Sequence, residues 1–135
     1  MIPRHQTIFG KRGNCYAACI ASILELPLEI VPNFCEHRDW QQRSKAWLAE
    51  RGLGIVTISY ASVFPFPDGS FPLPSGYCIL SGLGPRGYRH CCVGFEDKVV
   101  FDPHPSGAGL VKPDEIEYFV ILNPHYTILE PSDGR

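Results

Sequence analysis

The chain has 135 residues, a formal net charge of −2 and a hydrophobic fraction of 44%. This length suits one domain with its own core, and this composition excludes an intrinsically disordered chain. The slight negative charge gives no basic footprint for nucleic acid, and no apolar run reaches the ~18–20 residues of a membrane-spanning helix, so neither partner is expected.

The first predicted element is a helix that begins at Cys15. Asn14 before it is a preferred N-cap residue, whose side-chain oxygen is expected to accept a backbone N–H of the first turn. The positive end of a helix favours thiolate over thiol, so the pattern predicts a nucleophile at Cys15. The alternative is a small apolar core residue, which is the usual role of a free cysteine. Small and apolar residues then follow at helical spacing: Ala18, Cys19, Ser22, Ile23 and Leu26.

A second helix is predicted from Arg38 or Asp39 to Glu50. Two prolines within Leu26–Phe34 prevent the first helix from continuing, and Gly52 suits the C-terminus of the second. The spacing of its apolar residues predicts a buried stripe made of Trp40, Ala46, Trp47 and Leu48.

Strands are predicted from residue 55 onward, around a long loop. Ile55–Tyr60 and Tyr77–Leu80 have the composition of strands. Residues 62–76 contain four prolines, so they predict an irregular loop, which is either functional or simply packed on the surface. The glycine-containing run Ser81–Gly87 predicts a second loop.

A β-hairpin that carries a histidine and an acid is predicted after this second loop. His90 opens a short apolar strand, and Val99–Pro103 returns after a turn at Glu96–Asp97, which places His90 and Asp102 nearly opposite one another. A thiol nucleophile needs an imidazole base, and an acid beside that imidazole fixes its tautomer. Cys15, His90 and Asp102 therefore predict a catalytic triad. The alternatives are a loop histidine and a turn aspartate before proline.

The last strand is predicted at Tyr118–Leu122, after a short helical turn at Pro113–Ile116, and the tail Pro131–Arg135 is expected to fray. Two helices followed by four or five mostly antiparallel strands predict an α+β fold with the helices packed against one sheet. We expect a single domain over residues 1–135, with the N-terminus of the cysteine helix facing the strand that begins at His90.

The order of these motifs resembles that of papain-like cysteine hydrolases. In that superfamily a cysteine on the first helix precedes a histidine that opens a strand and an Asp-Pro that ends the next strand. The pattern is most similar to compact bacterial peptidases that trim bacteriocin leaders. The match is carried by Asn14-Cys15, Ala18-Cys19, His90-Cys91-Cys92-Val93 and Asp102-Pro103. Small bacterial and phage proteins share further motifs, found here at Gly13–Cys19, Leu26–Phe34, Trp47–Leu53 and Asp102–Gly107. The resemblance spans nearly the whole chain and implies a papain-like domain with thiol protease chemistry.

The resemblance also implies an oxyanion donor, with one departure from the family pattern. A family glutamine about six residues before the cysteine donates its amide to the oxyanion. Gln6 lies nine residues before Cys15, so Gly10–Gly13 would have to form a longer loop that returns it to the site. Asn14 or the backbone N–H of Cys15 is the alternative donor.

The third member of the triad is predicted to be Asp102. Some papain-like relatives use a histidine there, and His104 lies two residues further on. Pro103 and Pro105 argue that the strand stops before His104. We therefore assign Asp102 to the triad, and we place His104, together with Asn14, beside the substrate.

The predicted function is hydrolysis of an amide, peptide or isopeptide bond through an acyl-enzyme on Cys15, with a peptide or protein as substrate and no metal or organic cofactor. Glutamine deamidation, transamidation and cleavage of peptidoglycan cross-links use the same triad and stay open. A non-catalytic binding or inhibitor protein that reuses the fold is a further alternative, and it needs neither a low thiol pKa nor a free cleft.

The six cysteines are expected to be reduced thiols. The N-terminus lacks the apolar segment of a secretory signal, so we expect a cytoplasmic protein unless a dedicated system exports it. A zinc site built from Cys35, His37 and Cys91 or Cys92 is the alternative. It lacks a second close pair of ligands at zinc-finger spacing, so no metal is expected.

Overall fold

The computed structural model describes residues 1–70 and 73–123, and within them two α-helices precede one five-stranded sheet. Helix α1 spans Cys15–Leu24 and α2 spans Trp40–Ala49. The strands are β1 (Leu53–Ser59), β2 (Tyr77–Leu83), β3 (Arg89–Phe95), β4 (Lys98–Phe101) and β5 (Lys112–Ile121). Short 3₁₀ turns lie at Leu28–Ile30, Phe34–Glu36 and Tyr60–Ser62. The prediction for Pro131–Arg135 lies outside the described residues.

The sheet has the strand order β1-β5-β2-β3-β4, and each neighbouring pair is antiparallel. The last strand is therefore not an edge, because β5 lies between β1 and β2. This mixture of helices and an antiparallel sheet confirms the α+β prediction at that level.

The core divides between the two faces of the sheet. On one face, Tyr16 and Ile20 of α1 pack with Ile79 of β2 and Val93 of β3, and α2 adds Leu48. The other face carries a smaller cluster of Cys78, Leu80, Ile116 and Tyr118. Removing the side chains of the first face from water is the main favourable term for holding α1 against β2 and β3.

Two predicted loops or turns are strand in the structure. Strand β2 continues through Leu83, so the turn is shorter than the predicted Ser81–Gly87 loop. The predicted helical turn at Pro113–Ile116 is also wrong, because these residues belong to β5. The register of β2 against β5 shifts between Ser81 and Gly82, and Pro113 pairs with Gly82 at this irregularity. Proline lacks an N–H and is accepted in a sheet at such bulges.

The second helix was placed nearly correctly, but its buried face differs from the prediction. Leu48 is fully buried and Trp47 is half-buried, whereas Ala46 is exposed. Ser44, which was not predicted to be buried, is 1% exposed and donates from its hydroxyl to Gln41 O at 3.0 Å. This local hydrogen bond satisfies the hydroxyl and allows a polar side chain in that place.

Candidate active site

Cys15 occupies the first helical position of α1 and lines a cavity of about 310 Å³. Its side chain is half-buried. The cavity walls come from the glycine-containing turn before α1, from Trp40 of α2, and from strands β2, β3 and β5. His90 and Cys91 at the start of β3 line the same cavity, so the predicted base and the predicted nucleophile border one cavity.

Asn14 precedes α1 as predicted, but its side chain does not cap the helix, so that part of the prediction is wrong. Its Oδ1 accepts the backbone N–H groups of Thr7 and Ile8, both at 2.9 Å, and its Nδ2 donates to Thr7 Oγ1 at 3.0 Å. The carboxamide therefore holds the N-terminal segment and leaves the first-turn N–H groups of α1, Cys15 among them, without a cap from Asn14. Those groups carry the partial positive charge that stabilises an anion at a helix start.

Gln6 is held beside this connection. Its buried side chain donates from Nε2 to Ile8 O at 3.0 Å, and its backbone N–H donates to Pro103 O at 3.0 Å. The backbone N–H of Asn14 also donates to Ile8 O, at 3.1 Å, and closes the segment between them into a loop. The nine-residue separation of Gln6 from Cys15 is taken up by this loop. A role for Gln6 as oxyanion donor stays a prediction.

His90 and Asp102 meet through the predicted hairpin. Val93 of β3 pairs with Phe101 of β4, and Asp102 follows directly, beside Cys92 and on the strand face that also carries His90. The His90 Nε2 and Asp102 Oδ1 atoms lie 2.7 Å apart. The two residues are 2% and 8% exposed, so their hydrogen bond is shielded from water. Of the two ring nitrogens, Nδ1 is the one left to interact with Cys15.

The Asp102 carboxylate is fixed by further hydrogen bonds from its own loop. Oδ1 also accepts the backbone N–H of His104 at 2.9 Å, and Oδ2 accepts that of Gly109 at 2.8 Å. Burial alone would raise the pKa of Asp102, but the hydrogen bonds from His90 and from these two amides outweigh it and lower the pKa below its ordinary value. Asp102 is thus held as a carboxylate that faces His90.

His104 lies beside this pair without a direct hydrogen bond to His90. The ring centroids of the two histidines are 6.3 Å apart. His104 Nδ1 accepts the backbone N–H of Ser106 at 3.0 Å, and its ring meets Phe9 edge to face at 5.3 Å. The geometry thus gives the contact with His90 to Asp102 rather than to His104.

The Cys15 thiol has a pKa well below its ordinary value. Its hydrogen bond with the Cys91 side chain is the largest cause, and a hydrogen bond and charge attraction from His90 add to it, while burial acts in the opposite direction. Burial lowers the pKa of His90, but its hydrogen bonds with Cys15 and Asp102 outweigh this and raise the pKa above 6.5. The two shifts favour a thiolate on Cys15 beside an imidazolium on His90.

The other five thiols have raised pKa values. Burial raises the pKa of Cys19 and of Cys92, and it raises that of Cys35 to about 12 although Cys35 lines the same cavity as Cys15. All six cysteines carry free thiols. A low pKa therefore distinguishes Cys15 within the cavity as well as within the chain.

One group of side chains in the described part of the chain has metal-ligand spacing. Ligand atoms of His90, Cys92 and Asp102 lie within 4.8 Å of one another, and all three residues are buried. The 2.7 Å contact between His90 and Asp102 is a hydrogen-bond distance, and both Asp102 oxygens already accept other hydrogen bonds. The ligand atoms of His90 and Asp102 are therefore already engaged in hydrogen bonds within the protein. The alternative pair of Cys35 and His37 does not belong to this group.

Three functional candidates were missed by the sequence analysis. The sequence places Cys91 in an apolar run and names it only as an alternative zinc ligand, yet its hydrogen bond is the largest cause of the low pKa of Cys15. Glu115 and Glu117 also line the cavity. Alternation of these acids with apolar neighbours is a period-two signal typical of a strand, but the proline at 113 favoured a turn instead.

Comparisons with protein-family models, with curated proteins and with solved structures found no match. Among the described residues, neither helix is long and apolar enough to cross a bilayer.

Proposed function

We propose that this protein is a papain-like cysteine hydrolase that cleaves an amide or peptide bond through an acyl-enzyme on Cys15. The observation that carries the proposal is the buried hydrogen bond of 2.7 Å between His90 and Asp102, behind a low-pKa thiol that opens on a cavity. A structural cysteine requires neither a lowered pKa nor an oriented imidazole. The α1-then-sheet arrangement, with the thiol at the helix start, supports the papain-like assignment.

The first half of the reaction forms a thioester. The Cys15 thiolate attacks the substrate carbonyl carbon, and the carbonyl oxygen becomes an oxyanion. His90 holds the proton that Cys15 has lost and delivers it from Nδ1 to the leaving nitrogen as the C–N bond breaks. Asp102 keeps the ring oriented and stabilises its protonated form throughout.

The second half returns the free enzyme. His90, now neutral, takes a proton from water, and the oxygen of that water attacks the thioester carbonyl. The C–S bond breaks, the acid product leaves, and Cys15 is again a thiolate beside protonated His90. An amine in place of water gives transamidation from the same thioester, and a primary amide in place of a peptide gives deamidation.

The oxyanion needs hydrogen-bond donors while it exists. The backbone N–H of Cys15 at the start of α1 is our first candidate, since Asn14 directs its side chain to the N-terminal segment. Gln6 is the second candidate, because its amide nitrogen has two hydrogens and one of them goes to Ile8 O. Loss of one such donor typically costs about 3–4 kcal/mol of transition-state stabilisation.

The test is alkylation of the folded protein by iodoacetamide over a series of pH values, with peptide mapping of the modified thiol. Cys15 is expected to react well below pH ~8.5, where an ordinary thiol begins to ionise, because its pKa is lowered. Hydrolysis of an amide substrate should fall again above the raised pKa of His90, because the imidazolium that protonates the leaving nitrogen is then lost.

Cys35 provides the matched control, because it lines the same cavity with a pKa of about 12. The variant Cys35→Ala should keep the low-pH labelling, and Cys15→Ala should remove it. Labelling that maps to Cys35, or that appears only near pH 8.5 and above, would contradict the hydrolase proposal and favour a non-catalytic binding protein.

A further inference from the structure

The cavity beside Cys15 has an acidic inner wall that the triad does not use. Glu117 of β5 is 7% exposed and lines the cavity together with Cys15 and His90. The hydroxyl of Tyr16, the residue after the nucleophile, donates to Glu117 Oε2 at 2.7 Å. This bond fixes the carboxyl group on the cavity side of the sheet, where Glu115 also lines the wall.

Strand register sets the distance from this wall to the thiol. Ser81 of β2 pairs with Cys91 on one side and with Glu115 on the other, so the three residues form one row across the sheet. Neighbouring strands lie about 4.8 Å apart, so the backbones of Cys91 and Glu115 are about 10 Å apart. Cys91 lines the same cavity as Cys15, so the acidic wall begins within the reach of one long side chain of the attacked residue.

Two cationic residues, Lys11 and Arg89, line the same cavity as these two acids. Within residues 1–70 and 73–123, neither Glu115 nor Glu117 forms a salt bridge. Arg89 in the same wall is held by both oxygens of Asp114, at 2.7 and 2.8 Å. Burial raises the pKa of Glu117, and the Tyr16 hydrogen bond and the charge of Lys45 offset this only in part, so the carboxylate is short of compensating charge.

The remaining wall suits a cation as well. Trp40 of α2 lines the cavity and meets Tyr16 edge to face, with ring centroids 5.2 Å apart. An aromatic ring attracts a cation that lies over its face. The acyl part of a substrate stays on Cys15 after the first step, so the cavity beside the thiol is the natural place for its side chain.

We propose that Glu117, assisted by Glu115 and Trp40, selects substrates whose acyl residue carries a primary amine on a side chain of about the length of lysine. This inference rests on the proposed hydrolase function and names its substrate class. The ammonium group of such a side chain supplies the charge that the acidic wall lacks. A neutral side chain of the same length leaves that wall uncompensated.

The test compares two fluoromethyl ketone probes, one with a lysyl and one with a norleucyl group beside the reactive ketone, so that the second lacks the terminal ammonium group and keeps the four-carbon chain. On the wild-type protein, the lysyl probe is expected to modify Cys15 at least about tenfold faster, as a hydrogen bond to a charged group predicts. The rate of each probe is followed by intact mass, and the site is found by peptide mapping.

Two variants assign the preference to Glu117. In Glu117→Gln the side-chain oxygen still accepts the Tyr16 hydroxyl, and the ratio of the two rates should fall towards one. Glu29→Gln, which removes an exposed carboxylate from the Leu28–Ile30 turn, is the control and should keep the wild-type ratio. Glu115→Gln is expected to reduce the ratio by a smaller factor, and it replaces Glu117→Gln if that variant does not fold.

The outcomes separate this inference from the proposed function. Equal rates of the two probes on wild-type Cys15 would overturn the amine preference and leave the nucleophile intact. A preference that survives in both glutamate variants would overturn the assignment to this wall. Failure of either probe to select Cys15, together with indiscriminate alkylation by iodoacetamide, would instead overturn the hydrolase proposal.

Discussion

Cys15 and Cys78 are two thiols of one sheet-and-helix core with opposite acidity. Cys78 is fully buried on the sheet face away from α1, and its Sγ donates to the carbonyl of Glu96 at 3.1 Å. Burial raises the pKa of Cys78 to about 12. Cys15 instead interacts with Cys91 and His90, which lower its pKa. The difference shows that hydrogen bonds from Cys91 and His90, with the charge of His90, outweigh burial at Cys15, whereas burial prevails at Cys78.

The largest effect on the difference between Cys15 and Cys78 is expected when the imidazole of His90 is removed. His90→Ala is expected to slow alkylation of Cys15 by about 10²–10⁴-fold at neutral pH, because the thiolate loses both its hydrogen-bond donor and its counter-charge. The rate is measured with iodoacetamide on the folded protein. The matched readout is Cys78, whose slow reaction should be the same in both proteins, since His90 is not among the causes of its pKa. Unchanged Cys15 alkylation would remove His90 from the mechanism.

The second test separates the two candidates for the third position. Asp102→Ala is expected to lower acylation of Cys15 by about 10²-fold or more, because His90 loses the carboxylate 2.7 Å from its Nε2. His104→Ala is the matched comparison and should lower the acylation rate far less, since its ring lies 6.3 Å from that of His90. Thermal unfolding of both variants shows whether the 102–109 loop is intact. Full activity of Asp102→Ala with inactive His104→Ala would reverse the assignment.

The smallest effect is expected at Cys91, because a change there leaves both the hydrogen bond and the charge of His90 in place. Cys91→Ala removes the donor that lowers the pKa of Cys15 most, so the pH profile of alkylation should move to higher pH. Below pH ~5, where the wild-type thiol is mostly protonated, the rate should fall by roughly tenfold, which corresponds to a shift of about one pKa unit. Cys91→Ser keeps an O–H donor at the same position and should stay closer to the wild-type profile. Identical profiles for both variants would show that Cys91 does not act by donation.

The contact between His90 and Asp102 was easier to predict from the sequence than the residues that surround the candidate site. The order of Cys15, His90 and Asp102 was sufficient to predict that the last two meet, because a tight hairpin places residues on either side of its turn next to each other. The start of α1 at Cys15 was also predictable, from the helical spacing of the small and apolar residues that follow it. These are local features, and a single sequence carries them.

Non-local features were missed for a physical reason. The Asn14 side chain was predicted to cap α1 but binds backbone groups of Thr7 and Ile8, which compete for the same oxygen. Residues Pro113–Ile116 are strand because β1 and β2 pair with them on both sides, and tertiary pairing overrides a local proline signal. Glu117 is buried because it meets Tyr16, which lies 101 positions earlier in the chain.

The loop between Ile8 and Asn14 has a consequence for how such chains are recognised. Both of its ends are tied to the same two anchors, the Asn14 carboxamide and the Ile8 carbonyl, so its interior can gain or lose residues while Gln6 keeps its place next to Pro103. The count of residues between the glutamine and the cysteine is therefore a poor measure of their separation in space. A search pattern that fixes this count would pass over every chain with a loop of another length, whereas one that allows a variable gap closed by an asparagine before the cysteine would retain them.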